Sequence, residues 1–197
     1  MAHQTADIRN IALVGHAAAG KTLLTEALLA EAGAISAKGS LERGTTVCDF
    51  DPQEKKQLHS LDSAVCHLET GGTFVNLLDT PGIPDFIGRS LSVLEAVETA
   101  AVVVSAVNGV EPLTQRMMDF ARDRRLCRLV IVNKIDLPEA KPEQVLAELR
   151  ERFGKECLPL NLPADGGKQV VDVFFQPDGR GTDFSSVADA HTEIIDQ

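Results

Sequence analysis

The first part of the chain alternates between an apolar run and helical spacing. Residues 8–15 form a short β-branched run that ends in glycine, and apolar residues then recur with a period of about 3.6 residues at Leu24, Ala27 and Leu28. This pattern predicts a strand, a glycine loop and a helix. Residues 33–61 carry no sustained period and are rich in glycine, serine, threonine and charge, which predicts a long functional or mobile loop.

The middle of the chain predicts further strands and helices. Residues 65–69 and 73–79 have extended apolar patterns, and Gly71-Gly72 between them is typical of a hairpin turn. Helical spacing and continuous apolar runs then alternate, with predicted helices over 87–94, 113–120 and 142–154 and predicted buried strands over 100–104 and 129–132. Strands that alternate with helices predict an α/β fold with a doubly wound sheet.

The character of the chain changes beyond Gly154. Two more strands are predicted over 158–162 and 170–175, separated by turn residues 163–167 and followed by a polar loop and a short helical tail. We therefore predict a first domain over residues 1–157 and the beginning of a small subdomain over 158–197.

Composition and charge favour a folded protein and weigh against nucleic-acid binding. Of the 197 residues, 44% are hydrophobic and 24% are charged, which is typical of globular domains. The chain has 19 Lys and Arg residues against 29 Asp and Glu, and the net charge of −10 repels a phosphate backbone. We expect no direct, sequence-specific contact with nucleic acid.

Cysteine spacing and apolar segments indicate the compartment. The apolar runs are far shorter than the roughly 20 residues that a membrane span needs, and residues 1–10 are polar. These features predict a cytoplasmic protein without membrane contact. The cysteines lack the spacing of zinc or redox motifs, so we interpret all four as free thiols: Cys48, Cys66, Cys127 and Cys157.

The strongest chemical motif is Gly-His-Ala-Ala-Ala-Gly-Lys-Thr at 15–22, which matches the phosphate-loop pattern G-x-x-x-x-G-K-[ST]. It lies between a predicted strand and a predicted helix, where loop amides and the helix dipole can surround phosphates. Lys21 can reach the β and γ phosphates, and the Thr22 hydroxyl can bind Mg²⁺. The predicted nucleotide-binding residues of this loop are Gly15, His16, Ala17, Ala18, Ala19, Gly20, Lys21 and Thr22.

A second motif, Asp-Thr-Pro-Gly, ends the predicted strand over 73–79. The Asp79 carboxylate stands at the carboxyl end of that strand, where ligands of such sheets bind, and it can hold a water on Mg²⁺. The Gly82 amide can sense a γ-phosphate. Alone, this tetrapeptide is only a turn pattern, and its weight comes from its position. We predict nucleotide contacts from Asp79, Thr80, Pro81 and Gly82, and a catalytic group of Lys21, Asp79 and Gly82.

The tetrapeptide Asn-Lys-Ile-Asp at 133–136 again follows a predicted strand. The Asp136 carboxylate can accept hydrogen bonds from the ring N–H and the amino group of guanine. Adenine presents an acceptor instead of the ring N–H, a mismatch that costs on the order of several kcal/mol. Alone, the segment is also explained by an Asn and an Asp that cap the following turn. Three motifs in this order favour GTP over ATP, and we predict that Asn133, Lys134 and Asp136 bind the nucleotide.

The other titratable residues do not indicate a further site. Most histidines are scattered without metal-ligand spacing, and only His16 is expected to contact nucleotide. Four acidic residues of the long loop are expected to be solvated rather than to form a carboxylate site: Glu42, Asp49, Asp51 and Glu54.

The three motifs together resemble the G domain of the translation elongation factor G family. Segments 8–16 and 79–86 strengthen this likeness, which covers nearly all of the chain, and segments 45–52 and 157–163 resemble the divergent elongation-factor-G-like branch. The resemblance implies a P-loop NTPase fold with a three-layer, doubly wound sheet and the start of a small inserted α+β subdomain. It also implies GTP and GDP as ligands, Mg²⁺ as cofactor, GTP hydrolysis, and the ribosome as partner of the full-length protein. We expect a monomer.

Departures from the family pattern bear on catalysis. Family translocases carry a His directly after the Asp-x-x-Gly motif to orient the attacking water, and here that place holds Ile83, so we expect slow hydrolysis or help from another group. The switch residue on Mg²⁺ is Ser60 or, for a shorter loop, Thr46, and we favour Ser60. Translational GTPases often have an Asp at the position of Ala18. The resemblance therefore does not imply here the monovalent-cation role of that Asp.

The family's last guanine motif, a Ser-Ala pair, is not found after Asp136. We therefore expect the chain to stop inside the inserted subdomain, before the last strand and helix of the G domain. The alternative function is a GTP-binding regulatory module that signals by switch-loop order with little hydrolysis, which Ile83 favours. An ATP-using P-loop kinase is a third interpretation, disfavoured by Asn133 and Asp136.

Overall fold

The computed structural model describes residues 3–175 and 181–196. Its main sheet has five strands in the spatial order β2-β3-β1-β4-β5, namely β1 (Ile8–Val14), β2 (Ala64–Thr70), β3 (Thr73–Asp79), β4 (Thr99–Ser105) and β5 (Cys127–Asn133). Strand β1 is parallel to β3 and β4, whereas β2 is antiparallel to β3. The predicted α/β class with a doubly wound sheet is confirmed.

The described residues also form six α-helices and a small second sheet. The helices are α1 (Lys21–Glu31), α2 (Pro52–Gln57), α3 (Ile87–Leu94), α4 (Pro112–Asp123), α5 (Pro142–Phe153) and α6 (Val187–Ile195). The second sheet pairs β6 (Asn161–Ala164) and β7 (Gln169–Asp172) in antiparallel fashion. Within the described ranges, no helix combines the length and apolar character needed to cross a membrane.

The central strands of the main sheet are largely buried. Ala100, Val102, Val103 and Val104 on β4 are fully buried. Strand β4 has β1 on one side and β5 on the other, and its continuous apolar sequence suits burial on both faces. The predicted buried strand over 100–104 is confirmed.

The predicted hairpin is present and joins β2 to β3. Thr70 pairs with Thr73, so Gly71 and Gly72 form a two-residue turn. Their φ angles are +55° and +79°. A two-residue turn with both φ angles positive matches the right-handed twist of the strands, and glycine adopts it without steric cost.

The predicted strand over 129–132 is present, but the prediction that it is buried is wrong. Strand β5 forms, but Leu129 is 40% exposed and residues 130–132 are only half-buried. Strand β5 ends the five-strand order, so within the described sheet only β4 pairs with it. An apolar run therefore predicts a strand but does not predict how much of its surface is buried.

The long loop over 33–61 contains one short helix that periodicity does not predict. Helix α2 has Pro52 in its first turn and Asp51 as its N-cap. The Asp51 carboxylate accepts a hydrogen bond from the Gln53 N–H, and the Glu54 carboxylate accepts one from the Asp51 N–H. This reciprocal capping stabilises a helix too short to show an apolar period.

The C-terminal strands are shifted from their predicted positions. Strand β6 covers 161–164 rather than 158–162, and β7 covers 169–172 rather than 170–175. Pro163 and Ala164, predicted as turn residues, pair with Val170 and Gln169. Both strands of a two-stranded sheet are edges, so a proline without an N–H is tolerated there. The predicted polar loop lies partly outside the described residues.

The chain divides into two compact units. One comprises Met1–Val104 and Glu111–Ile131, and the other comprises Ser105–Val110 and Val132–Gln197. The domain boundary predicted between residues 157 and 158 remains a prediction.

Candidate functional site

The phosphate-loop motif joins β1 to α1 in the first unit. Gly15 has a φ of +139°, and an added Cβ there would lie 2.3 Å from the carbonyl oxygen of Val103. Gly20, the N-cap of α1, has a φ of +97°. Glycine is required at the first position by close packing and at the second by backbone conformation. The motif therefore folds as the predicted strand, loop and helix.

Lys21 lies against the loop that it follows. Its Nζ donates hydrogen bonds to the carbonyl oxygens of Gly15 (3.0 Å) and His16 (2.9 Å). Burial lowers the pKa of Lys21 from 10.5 to about 8, and the nearby charge of Asp79 opposes that shift. At neutral pH the loop thus carries a mostly protonated, desolvated ammonium group.

Asp79 ends β3 beside the phosphate loop. The side chain is 1% exposed, and its Oδ2 accepts a hydrogen bond of 2.6 Å from the Thr22 hydroxyl. Burial raises the pKa of Asp79 from 3.8 to about 6, while the Thr22 hydrogen bond and the Lys21 charge act in the opposite direction. Its Oδ1 is buried and has no hydrogen-bond partner among the described residues. A buried carboxylate oxygen in this state suits a cationic or donor ligand.

The structure places Ser60, rather than Thr46, beside Thr22. The two hydroxyl oxygens of Ser60 and Thr22 are 3.3 Å apart, and Ser60 also donates to Asp49 Oδ1 at 2.8 Å. The Thr46 hydroxyl donates to the other oxygen of Asp49 at 2.9 Å. Thr22, Ser60 and Asp79 therefore form a continuous chain of oxygen atoms, and Asp49 fixes its outer end. Across the described residues, no group of three or more His, Cys, Asp or Glu side chains is arranged to hold a metal ion.

Three buried carboxylates, Glu26, Asp49 and Glu54, accept hydrogen bonds from groups within the segment over residues 39–62, a feature that the sequence did not reveal. Glu26 on α1 accepts hydrogen bonds from the N–H groups of Gly39 and Val47. Glu54 accepts hydrogen bonds from backbone N–H groups at residues 61 and 62. Asp49 and Glu54 are each 2% exposed, so the expectation that they are solvated is wrong. Glu26 and Glu54 accept from backbone N–H groups and Asp49 accepts from two hydroxyl groups, and only the folded chain brings these donors close.

The Asp-Thr-Pro-Gly motif packs directly on the phosphate loop. An added Cβ at Gly82 would lie 2.5 Å from Lys21 Nζ and 2.7 Å from the Ala17 nitrogen. The Thr80 hydroxyl donates to the Leu13 carbonyl at 2.7 Å, and the Pro81 carbonyl accepts from a serine hydroxyl on α3 at 2.9 Å. The structure thus brings the first two predicted motifs together.

The His16 side chain is directed into the protein. It is 1% exposed, its Nδ1 lies 3.3 Å from the Thr114 hydroxyl oxygen, and its Nε2 lies 3.6 Å from a carboxylate oxygen of Glu111. Glu111 and Thr114 belong to the first turn of α4 and its N-cap. His16 therefore links the phosphate loop to the start of α4.

The Asn-Lys-Ile-Asp segment lies in the second unit. Asn133 is the last residue of β5, and its carbonyl oxygen accepts a hydrogen bond of 2.8 Å from the Ala106 N–H. Lys134 has a φ of +60°, so the chain turns sharply after the strand. The side chain of Asp136 is exposed. An added Cβ at Gly167 would lie 2.0 Å from the Ile135 carbonyl oxygen, so the loop after β6 packs closely on this segment.

Comparison with known protein families identifies the family to which this domain belongs. The model of the elongation factor Tu GTP binding domain matches residues 6–194. The chain belongs to this family. Guanine-nucleotide binding follows from membership, since the matched region is the GTP-binding domain of the family and contains every predicted site residue.

The relatives of this GTP-binding domain are larger proteins. The elongation factor G-like protein of Mycobacterium tuberculosis is 38% identical over 193 residues, which cover 96% of this chain and 27% of the relative. Peptide chain release factor 3 of Bordetella avium is 37% identical over 84% of this chain and 32% of its own length. Tetracycline resistance protein TetM of Streptomyces lividans is 36% identical over 94% and 29%. The predicted likeness to elongation-factor-G-like proteins is confirmed.

A solved structure shares the fold of this GTP-binding domain. A crystal structure of a Thermus thermophilus protein superposes with a TM-score of 0.85 and 37% identity, covering 97% of this chain and 31% of that protein. The predicted P-loop fold is thereby confirmed. The chain spans about a third or less of each of these matched proteins.

Proposed function

We propose that the chain is the GTP-binding domain of an elongation-factor-G-like translational GTPase. In the complete protein it binds and hydrolyses GTP with Mg²⁺ and drives a conformational cycle on the ribosome, in the cytoplasm and as a monomer. The observation that carries this proposal is the contact of two motifs, in which Lys21, Thr22 and Asp79 share one buried site. The match to a GTP-binding domain family supports a guanine nucleotide as the ligand.

The phosphate loop binds the phosphates through its amides and Lys21. Gly15 and Gly20 give the loop its curvature, and the start of α1 directs N–H groups toward an anion. Lys21 exchanges its present carbonyl acceptors for β and γ phosphate oxygens. Phosphate is the better acceptor because its charge offsets the burial of the ammonium group.

The oxygen atoms of Thr22, Ser60 and Asp79 fit Mg²⁺. This hard cation prefers oxygen ligands, and Asp79 offers one carboxylate oxygen that accepts no hydrogen bond from the described residues. The Thr22 and Ser60 hydroxyls lie next to each other, and Asp49 keeps Ser60 in place. When bound, the ion neutralises the charge that develops on the β and γ phosphates.

Hydrolysis in this domain is slow without a further group. The backbone of Gly82 lies against the phosphate loop, where its N–H can bind a γ-phosphate oxygen. Ile83 follows it and can neither donate nor accept a hydrogen bond through its side chain, so it cannot orient the attacking water. The ribosome, or another part of the full-length protein, is proposed to supply that function.

Base recognition is assigned to Asn133, Lys134 and Asp136. The Asp136 carboxylate is exposed and can accept both hydrogen bonds that guanine offers. The sharp turn at Lys134 separates Asn133 at the strand end from Asp136. The same three residues support GTP over ATP.

Single-turnover hydrolysis by the full-length protein, with and without ribosomes, tests the proposal. Stimulation by orders of magnitude is expected, and Lys21→Ala is expected to lose tight nucleotide binding because the charge on the phosphates is gone. Unchanged GTP affinity in Lys21→Ala contradicts the phosphate-loop assignment. Tight GTP binding without ribosome stimulation instead favours the regulatory module, the second candidate, which Ile83 supports.

A further inference from the structure

Two thiols that are distant in the sequence meet in the core of the first unit. Cys48 lies in the loop between α1 and α2, Cys66 lies on β2, and they are 18 residues apart. Their sulfur atoms are 3.6 Å apart and share a hydrogen bond. Both side chains are buried, at 3% and 7% exposure. The sequence spacing gave no indication of this pair, because the loop fold creates it.

The geometry of the pair suits a covalent bond. A disulfide has a sulfur–sulfur distance of about 2.05 Å, so the two atoms must approach by roughly 1.5 Å. Cys48 is in a loop segment without regular structure, which can make that adjustment more easily than a strand residue. We propose that Cys48 and Cys66 are a redox modification site and form a reversible intrachain disulfide that tethers this loop to the main sheet.

The oxidant is a low-molecular-weight disulfide, and the exchange balances. One cysteine thiolate attacks a sulfur of the oxidant, forming a mixed disulfide and releasing one thiolate. The second cysteine, as its thiolate, then attacks the cysteine sulfur of the mixed disulfide and releases the other small thiolate. The two cysteines lose two electrons and two protons, and the oxidant becomes two thiols. Because both cysteines are buried, the first attack requires the loop to open.

The tether acts on the loop that carries Asp49, which holds the proposed Mg²⁺ ligand Ser60, so its consequence rests on the proposed function. The N–H of Val47, directly before Cys48, donates to Glu26, and Asp49, directly after it, accepts the hydrogen bond from Ser60. In the reduced chain these contacts are exchangeable hydrogen bonds. A covalent bond at Cys48 holds them in place whatever the nucleotide state, because the loop can no longer leave β2.

Mass measurement tests the disulfide itself. The chain carrying Cys127→Ser and Cys157→Ser retains only the buried pair and is treated with oxidised glutathione. Its mass is expected to fall by two hydrogen atoms, and peptide mapping is expected to join the Cys48 and Cys66 peptides. The matched variant with Cys66→Ser added is expected to form no internal bond. Two unreacted thiols, or stable glutathione adducts, in the chain that holds both cysteines overturn the proposal.

Hydrogen–deuterium exchange of loop residues 36–50 tests the tether. In the reduced chain, a non-hydrolysable GTP analogue with Mg²⁺ is expected to slow exchange, and in the oxidised chain this response is expected to be lost. Oxidised Cys66→Ser is expected to respond like the reduced chain. A response that survives in the disulfide-bonded chain overturns the tether. A reduced chain that does not respond contradicts the proposed function instead, and the mass result still decides the disulfide.

Discussion

At the scale of single residues, the phosphate loop brings together two charges that burial opposes. Lys21 and Asp79 are 6% and 1% exposed, and each is shifted toward its neutral form, with pKa values of about 8 and about 6. Their mutual attraction limits both shifts without cancelling them. An anion beside Lys21 therefore favours its ammonium form, and a cation beside Asp79 favours its carboxylate form.

The first prediction concerns the pH dependence of nucleotide affinity. Below about pH 8 Lys21 is already protonated, so affinity for GDP is expected to be insensitive to its titration. Above that pH, binding must also take up a proton, and affinity is expected to fall by up to about tenfold per pH unit. Calorimetric titration from about pH 7 to about pH 9 measures this fall.

Lys21→Ala is the control for this titration. Its affinity is expected to be lower throughout and to lack the fall above about pH 8, because the titrating group is absent. A wild-type affinity that stays flat across the whole range would show that Lys21 is not deprotonated in the free site.

The second prediction concerns the cost of Asp79 to stability. The folded-state pKa lies above the unfolded value of 3.8, so the folded chain binds the proton more tightly, and the free energy of unfolding falls as pH rises from about 4 to about 6. Asp79→Asn removes this cost and keeps an acceptor for Thr22. At pH 7 without nucleotide or Mg²⁺, urea titration is expected to show a gain on the order of 1–3 kcal/mol.

The gain in Asp79→Asn is expected to vanish near pH 4, where the wild-type carboxyl is protonated as well. Asp85→Asn, at an exposed position, is the matched control and is expected to change stability by less than about 0.5 kcal/mol. An Asp79→Asn chain less stable than the wild type at pH 7 contradicts the assignment of a buried, strained carboxylate.

At the scale of elements, local patterns predicted most strands and helices, and the phosphate loop was predicted from one contiguous motif. The pattern Gly71-Gly72 sufficed for the hairpin because the turn is formed by those two residues alone. The burial of Leu129 was not predictable, since it depends on what lies beside β5. Glu54 was expected to be solvated and Glu26 belongs to no motif, because the partners of both are backbone N–H groups that come close only in the folded loop.

The third prediction concerns that closed loop. Glu54 accepts hydrogen bonds from the N–H groups of Asp51, Leu61 and Asp62, at 2.9–3.1 Å. Glu54→Ala leaves these donors without their acceptor and is expected to lower the free energy of unfolding by about 1–3 kcal/mol. Glu42→Ala, at an exposed position of the same loop, is expected to stay within about 0.5 kcal/mol. Urea titration that gives equal stability for the two variants contradicts an anchoring role.

At the scale of the whole molecule, the two compact units carry different parts of the predicted chemistry. Lys21, Thr22 and Asp79 belong to the first unit, and Asn133 and Asp136 belong to the second. The first group is proposed to bind the phosphates, which every nucleotide has, and the second is proposed to bind the base. Affinity and base selectivity are therefore expected to respond to different substitutions.

The fourth prediction is that Asp136→Asn changes base preference without disabling the phosphate site. The amide N–H₂ group cannot accept a hydrogen bond from the guanine amino group, but it can donate one to the carbonyl that xanthine carries in that place. Preference is therefore expected to shift from guanine toward xanthine nucleotides. Each neutral hydrogen bond gained or lost is worth about 0.5–1.5 kcal/mol, up to about tenfold in affinity. Competition of GDP and xanthosine diphosphate for the two chains measures the shift. Lys21→Ala, in contrast, is expected to weaken both ligands alike, and an Asp136→Asn chain that prefers guanine as strongly as the wild type places base recognition on other residues.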